Sequence, residues 1–193
     1  MKKTILSTIV SILSLFSIQA QEQYQISLEN SKVEWIGEKV TGSHSGYINL
    51  KSAFLLFEDE KLVGGEFEID MNSIKCTDIE NPKYAAKLEK HLNSNDFFAT
   101  DKHPTSNFKI TNVIFDGTSY MVTGNMTIRE ISQEITFPAK FHNHGKLFHA
   151  NVSLKVDRTK HDIKYGSGSF FDDLGDKMIY NEFTLKIHLE GTK

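Results

Sequence analysis

The sequence predicts an all-β domain with one short helix: a tall eight-stranded antiparallel barrel with an apolar interior. Three observations carry that expectation. Apolar and polar residues alternate with period two along most of the chain, as in strands with one buried face. Only residues 82–92 switch to helical spacing. One short helix cannot cover so many strands, and an open series would leave pairing-prone edges, which closure into a barrel removes. A two-sheet sandwich is the alternative that alternation does not separate from a barrel.

The chain opens "MKKTILSTIVSILSLFSIQA". Lys2 and Lys3 precede a mostly apolar run over 5–18, and Ala20 offers a small residue for cleavage. Residues 1–20 therefore read as a secretory signal peptide, too short and too weakly apolar to span a membrane. The expected mature domain is 21–193, periplasmic or secreted. No cysteine stands immediately after the expected cut, so no lipid anchor is expected, and no later run suggests a transmembrane segment.

Candidate strands follow at 24–28, 32–40 and 46–58. "GEFEIDM" then sets Phe67, Ile69 and Met71 on one face. The segment after it changes character. Asn81 is a helix cap, Pro82 takes the first helical position, and Tyr84, Leu88 and Leu92 form a narrow apolar stripe. Asn93 to Asn95 end the helix, Phe97 and Phe98 lie in the loop beyond it, and Pro104 precedes a strand at 106–115. Four further runs alternate. They align Tyr120, Val122, Met126 and Ile128; Ile135, Phe137, Ala139 and Phe141; Phe148, Ala150, Val152, Leu154 and Val156; and Ile179, Phe183, Leu185, Ile187 and Leu189. That makes eight or nine strands. Glu58-Asp59-Glu60, Asp116-Gly117 and Asn143-His144-Gly145 read as turns.

Composition excludes some functions. The sequence has 22 basic residues; without Lys2 and Lys3 there remain 20 against 25 acidic ones, a net charge of −5. No basic stripe suited to nucleic acid is present. Cys76 is the only cysteine, so no internal disulfide forms, and it reads as a small packed side chain.

"GSHSG" at 42–46 nearly spells the G-x-S-x-G nucleophile elbow, with His44 in the serine's place. An elbow needs a strand before it and a helix after it. Strand-like sequence flanks this one on both sides, so Gly42 and Gly46 read as a tight turn or bulge between strands. His44 then stands at a rim or points inward, where it would donate a hydrogen bond to a polar ligand head. "FHNHGKLFH" carries His142, His144 and His149, which read as polar turn residues rather than a metal site. Asp172, Asp173 and Asp176 lack the frame of a calcium loop. Arg158 with Asp162 reads as a structural ion pair or as a group facing a ligand phosphate. No catalytic triad or carboxylate pair emerges.

Trp35, Phe67, Phe108, Phe137 and Phe183 fall on inward faces. With Ile69, Ile110, Val122, Leu154 and Leu185 there, and Phe97 and Phe98 after the helix, they are the candidate lining of an internal tunnel. Periodicity leaves open whether these side chains line a tunnel or fill a solid barrel.

Five stretches carry a resemblance: "WIGEKVTGSHSG", "GGEFEIDMNSI", "LEKHLNSNDFFATDKHPTSNF", "YMVTGNMTIREISQEITFPAKF" and "LKVDRTKHDIKYGSG". Together they resemble the YceI-like family, exported polyisoprenoid-binding proteins with a lipocalin-like barrel. The third stretch, a helix ending in His-Leu followed by Asp-Phe-Phe and Pro, is the most specific. The resemblance implies a non-catalytic carrier or sequestering protein. Its ligand would be a long isoprenoid lipid, of polyprenyl quinone or polyprenyl phosphate type, with no other cofactor. Arg158 matches the family's arginine before a glycine-containing loop and, with His44, is the candidate head-group contact. The resemblance is also compatible with a homodimer. Glu130 departs from it, standing where the family has glycine in "TIRG", which bears on the geometry of that turn. An enzyme acting on a small apolar substrate through His44 or a nearby acid is the alternative, and a solid barrel serving as an interaction module is the third reading.

Overall fold

The computed structural model describes residues 21–144 and 146–193, without the side chains of Asn143 and His144. The expected signal segment lies outside the described residues, as does the His144 side chain. The strands are β1 (Glu22–Ile26), β2 (Lys32–Lys39), β3 (Gly42–Glu58), β4 (Lys61–Cys76), β5 (Thr105–Phe115), β6 (Tyr120–Ile128), β7 (Ile131–His144), β8 (Leu147–Asp157) and β9 (Ile179–Thr192), with one α-helix, α1 (Pro82–Asn93), between β4 and β5. All pairings are antiparallel, and β4 returns to β3, so the sheet closes on itself. A barrel, not a sandwich, is formed.

Nine strands make eight staves because β1 and β2 share one. β1 lies between Phe54–Phe57 of β3 and the end of β9. β2 fills the same gap lower down, between Gly42–Ile48 of β3 and Ile179–His188 of β9. The chain turns over Leu28–Asn30 between them, so β1 stops at Ile26, short of the expected residue 28. The period-two pattern is clearest in β6 to β8, where Val122, Met126, Ile128, Ala139, Phe148, Ala150 and Val156 are all buried, whereas in β3 and β4 it changes phase at register shifts.

Two-residue hairpins join β3 to β4 and β6 to β7. Asp59 and Glu60 (φ 47° and 62°) form the first, and Arg129 and Glu130 (φ 51° and 64°) the second. Left-handed backbone at both central residues suits the twist of the flanking strands. The glutamate at 130 therefore adopts a left-handed conformation that glycine holds without strain.

"GSHSG" is not a turn. The turn is Val40–Thr41, and the pentapeptide is the first five residues of β3. Gly46 pairs with both Trp35 and Cys76. A side chain there would overlap the Lys75 carbonyl oxygen and crowd the Trp35 ring, so glycine permits a close approach of strands.

The helix begins as its sequence requires: the Asn81 side chain accepts from the Lys83 amide at 3.0 Å, with Pro82 in the first turn. Its stripe is only partly used. Leu92 packs on the core and Leu88 is half-buried, but Tyr84 is 65% exposed. No helix among the described residues is long and apolar enough to cross a membrane.

Candidate ligand cavity

The barrel interior is not filled. Two cavities lie in series. The first, about 130 Å³, sits toward the helix end, with Trp35, Ile69, Phe97, Phe98, Phe183 and Leu185 on its wall. The second, about 80 Å³, is walled wholly by apolar side chains, among them Phe67, Ile69, Phe108, Ile110, Val122, Phe137, Leu154 and Leu185. All twelve apolar residues singled out in the sequence therefore face one cavity or the other. Four residues, Val33, Ile69, Met126 and Leu185, belong to both walls and form the waist between them. Apolar cavities near ~150 Å³ admit benzene-sized guests. A longer chain requires the waist side chains to part, and the unbranched Met126 is suited to move.

Beyond the second cavity the barrel is shut by aromatic rings. Tyr24 stacks on Phe57 at 4.3 Å between centroids, Phe148 lies 5.7 Å from Tyr24, and Phe141 meets Phe57 edge-on at 6.3 Å. The interior is thus a blind pocket, not a passage through both ends.

At the helix end the segment after α1 is pinned. Backbone amides of Phe98, Ala99 and Thr100 donate to the carbonyls of Leu92, Ser94 and Asn93, and Arg129 Nη1 donates to the Phe97 carbonyl at 3.2 Å. Phe97 is buried, edge-on to His91 at 4.9 Å. Phe97 and Phe98 of this segment form the floor of the first cavity.

The wall does open sideways. Pairing of β2 with β9 is irregular after Gly37: Gly37 faces Phe183, but Lys39 faces Ile179, leaving residues 180–182 of β9 opposite Glu38 alone. The exposed residues on the first cavity's wall are Glu38, Tyr180 and Glu182, all at this irregularity. A surface groove lined by Lys155, Ser169 and Asn181 shares those three residues and meets the cavity there.

Polar groups on the cavity wall are few. Arg158 is 4% exposed. Its Nε, Nη1 and Nη2 donate to the carbonyls of Tyr180 (3.1 Å), Ile163 (2.8 Å) and Ile179 (3.1 Å), and its guanidinium lies 5.8 Å from the Phe97 ring centre. Burial lowers its pKa from the ordinary arginine value. The expected Arg158–Asp162 pair does not form: Asp162 binds Lys164 at 2.6 Å, because left-handed backbone at Asp162 ends the 3₁₀ turn and carries its side chain outward. Two wall atoms, Trp35 Nε1 and Ser106 Oγ, are fully buried and have no hydrogen-bond partner among the described residues. Ser106 was not singled out in the sequence, although it shares an inward face with Phe108 and Ile110.

His44 is on neither wall. It lies near the start of β3, at the same end as α1, where Nδ1–H donates to Asp78 Oδ2 at 2.9 Å. Asp78 also accepts from the Ser45 amide (3.0 Å) and the Cys76 thiol (3.2 Å). Partial burial pushes this carboxyl up, but the Ser45 amide, the His44 ring and the thiol outweigh it and hold the pKa at about 2. Burial and the adjoining carboxylate raise the thiol's pKa, so Cys76 is a packed and unreactive group. The cluster ties β3 to the chain entering the helix. Elsewhere His142 pairs across strands with His149 on β7 and β8, and Asp172, Asp173 and Asp176 are exposed.

His161, also missed in the sequence, is 1% exposed. Its Nδ1–H donates to the Ile131 carbonyl at 2.9 Å. Strands β7 and β8 pair only from Lys140 onward, just past Pro138, which has no N–H to give. The 3₁₀ turn Arg158–His161 fills the space where they diverge, and His161 satisfies a carbonyl that β8 does not reach.

Comparison with known proteins agrees with this architecture. The model of the YceI-like domain matches residues 24–191. A UPF0312 protein of Photorhabdus laumondii is 28% identical over 100% of this chain and 98% of its own. One from Pectobacterium atrosepticum is 30% identical over 75% of each. Among solved structures, BcnA of Burkholderia cenocepacia superposes with a TM-score of 0.69 at 22% identity, covering 86% of this chain and 99% of its own. A polyisoprenoid-binding domain from Saccharophagus degradans, described as implicated in plant cell wall breakdown, gives 0.63 at 11% identity, covering 88% and 97%. At those identities the structural likeness concerns the fold. With the family pattern matched from the first strand to the last, this chain belongs to the YceI-like family.

Proposed function

We propose that this protein is an exported, non-catalytic carrier or sequestering protein that holds a long isoprenoid lipid inside its barrel. The observation that carries this reading is the pair of apolar cavities in series, joined at Val33, Ile69, Met126 and Leu185 and blind at the aromatic end. A slender, branched hydrocarbon chain fits a narrow apolar pocket of that form, where burying each methylene contributes about 0.8 kcal/mol. The fold shared with a polyisoprenoid-binding domain supports the same ligand class. An enzyme working through His44 has less support, because the His44–Asp78 pair stands outside both cavity walls. Trp35, the only tryptophan, lines the first cavity and reports on occupancy. Titration with geranylgeraniol is expected to change its fluorescence saturably. An unchanged spectrum, with no ligand retained after gel filtration, would contradict the proposal.

A further inference from the structure

We propose that the loop leading into β9 docks the protein on a zwitterionic lipid bilayer, with Phe170 and Phe171 inserted among the headgroups beside the cavity's side opening. The proposal rests on the isoprenoid reading above and names the surface where that ligand is exchanged.

Residues 164–178 read "KYGSGSFFDDLGDKM". Hydrogen bonds hold the backbone of this loop. The Phe170 and Phe171 amides both donate to the Ser167 carbonyl, at 3.1 and 3.0 Å, and the Ile179 amide donates to the Gly166 carbonyl at 2.8 Å. The buried Ser167 hydroxyl donates to Asn181 Oδ1 at 2.7 Å, and Asn181 Nδ2 donates to Ser169 Oγ at 2.8 Å. A loop held in this way would bury its large apolar rings if the fold gave them a place. Instead Phe170 and Phe171 are 49% and 50% exposed, and Tyr165 and Tyr180 on either side are 45% and 47% exposed. One exposed apolar residue is ordinary, but four aromatic rings held out along one segment mark a contact surface.

The position of the rings identifies what they contact. Gly168 and Ser169, directly before them, line the groove that meets the first cavity at Glu38, Tyr180 and Glu182. The exposed Val40 is tied to the same loop, its amide donating to the Met178 carbonyl at 3.1 Å. The rings therefore stand beside the opening through which the apolar interior reaches the surface. A long hydrocarbon ligand resides in bilayers rather than in water, and aromatic rings settle at the headgroup level of a bilayer. Charge decides the kind of bilayer. The loop carries Asp172, Asp173 and Asp176 against Lys164 and Lys177, a balance of −1. It lacks the basic cluster that draws proteins to anionic lipids, so attachment is by ring insertion and suits zwitterionic headgroups.

The test uses the protein purified from its own cells and the double variant Phe170→Ser/Phe171→Ser, each floated with dioleoylphosphatidylcholine vesicles. The unaltered protein is expected to rise with the vesicles. The double variant should partition at least about tenfold less, with an unchanged urea midpoint and undiminished uptake of geranylgeraniol from solution. Raising salt from about 0.05 to about 0.5 M should alter binding of the unaltered protein less than about twofold. No flotation of the unaltered protein, or equal flotation of the double variant, overturns the docking proposal. Flotation that requires phosphatidylglycerol and is lost in salt overturns it too, because attachment would then be electrostatic. A dimer that the double variant dissolves, without flotation, overturns it in favour of a second copy covering the rings. Flotation as expected from a protein that retains no geranylgeraniol overturns the isoprenoid reading alone.

Discussion

Glu130 holds a left-handed conformation (φ 64°) with its side chain 84% exposed, so its contacts offset little of the strain. Glycine accepts that backbone freely but has more entropy to lose on folding. The balance favours the left-handed site: Glu130→Gly is expected to stabilise the fold by about 0.5–1 kcal/mol, read as a higher urea midpoint. A lower midpoint would show that the turn depends on the glutamate. His161 sets a pH dependence. Burial lowers its pKa, outweighing the Ile131 carbonyl and Asp157, which favour the cation. The unfolded chain takes up this proton below about pH 6.5 while the folded state resists it. Its contribution is therefore full above pH 6.5 and is lost as pH falls toward the lower folded value. The urea midpoint should drop between pH 7 and pH 5, and drop less in His161→Gln; parallel profiles would exclude His161 as the cause. The two residues differ in how far sequence reveals them. Glu130 stood out against a turn motif. Nothing in "RTKHD" signals that His161 serves a carbonyl thirty residues away, because that need arises where two strands diverge. Ser106 is intermediate: its inward phase is readable, but its lack of a partner depends on what surrounds it in three dimensions.

Strand identity followed from alternation because each strand buries one face against the same interior. Registers did not, and the irregularity at the cavity's side opening is a matter of register. Gly37 stands on the first cavity's wall beside the β2–β9 irregularity, and an added Cβ there meets nothing within 4 Å. If ligand enters there, Gly37→Phe should slow isoprenoid uptake in stopped-flow Trp35 fluorescence while leaving the urea midpoint nearly unchanged. Uptake at the unaltered rate would move the entrance elsewhere. The loop over 93–104 admits two sequence readings, a mobile mouth or a permanent plug, since two phenylalanines suit either. Its backbone hydrogen bonds and the Arg129 contact to the Phe97 carbonyl favour the plug. Amides 98–100 should therefore exchange slowly whether or not lipid is bound. Fast exchange that slows on loading would instead make this segment the gate.

At the scale of the molecule, closure was predictable because eight apolar-faced strands with one helix have few other ways to hide their edges. Whether the closed barrel is hollow was not predictable. That depends on the summed volume of inward side chains against the space the staves enclose, and a period-two pattern records only which side chains point in. The aromatic cluster of Tyr24, Phe57, Phe141 and Phe148 closes one end, while Phe67, Phe108 and Phe137 leave space beside them. The central claim is that this space holds an isoprenoid. Its most direct test is organic extraction of the protein purified from its own cells, followed by mass spectrometry. The proposed function predicts an isoprenoid lipid near one molecule per chain. An extract free of isoprenoids, from protein that also fails to take up added geranylgeraniol, would contradict it.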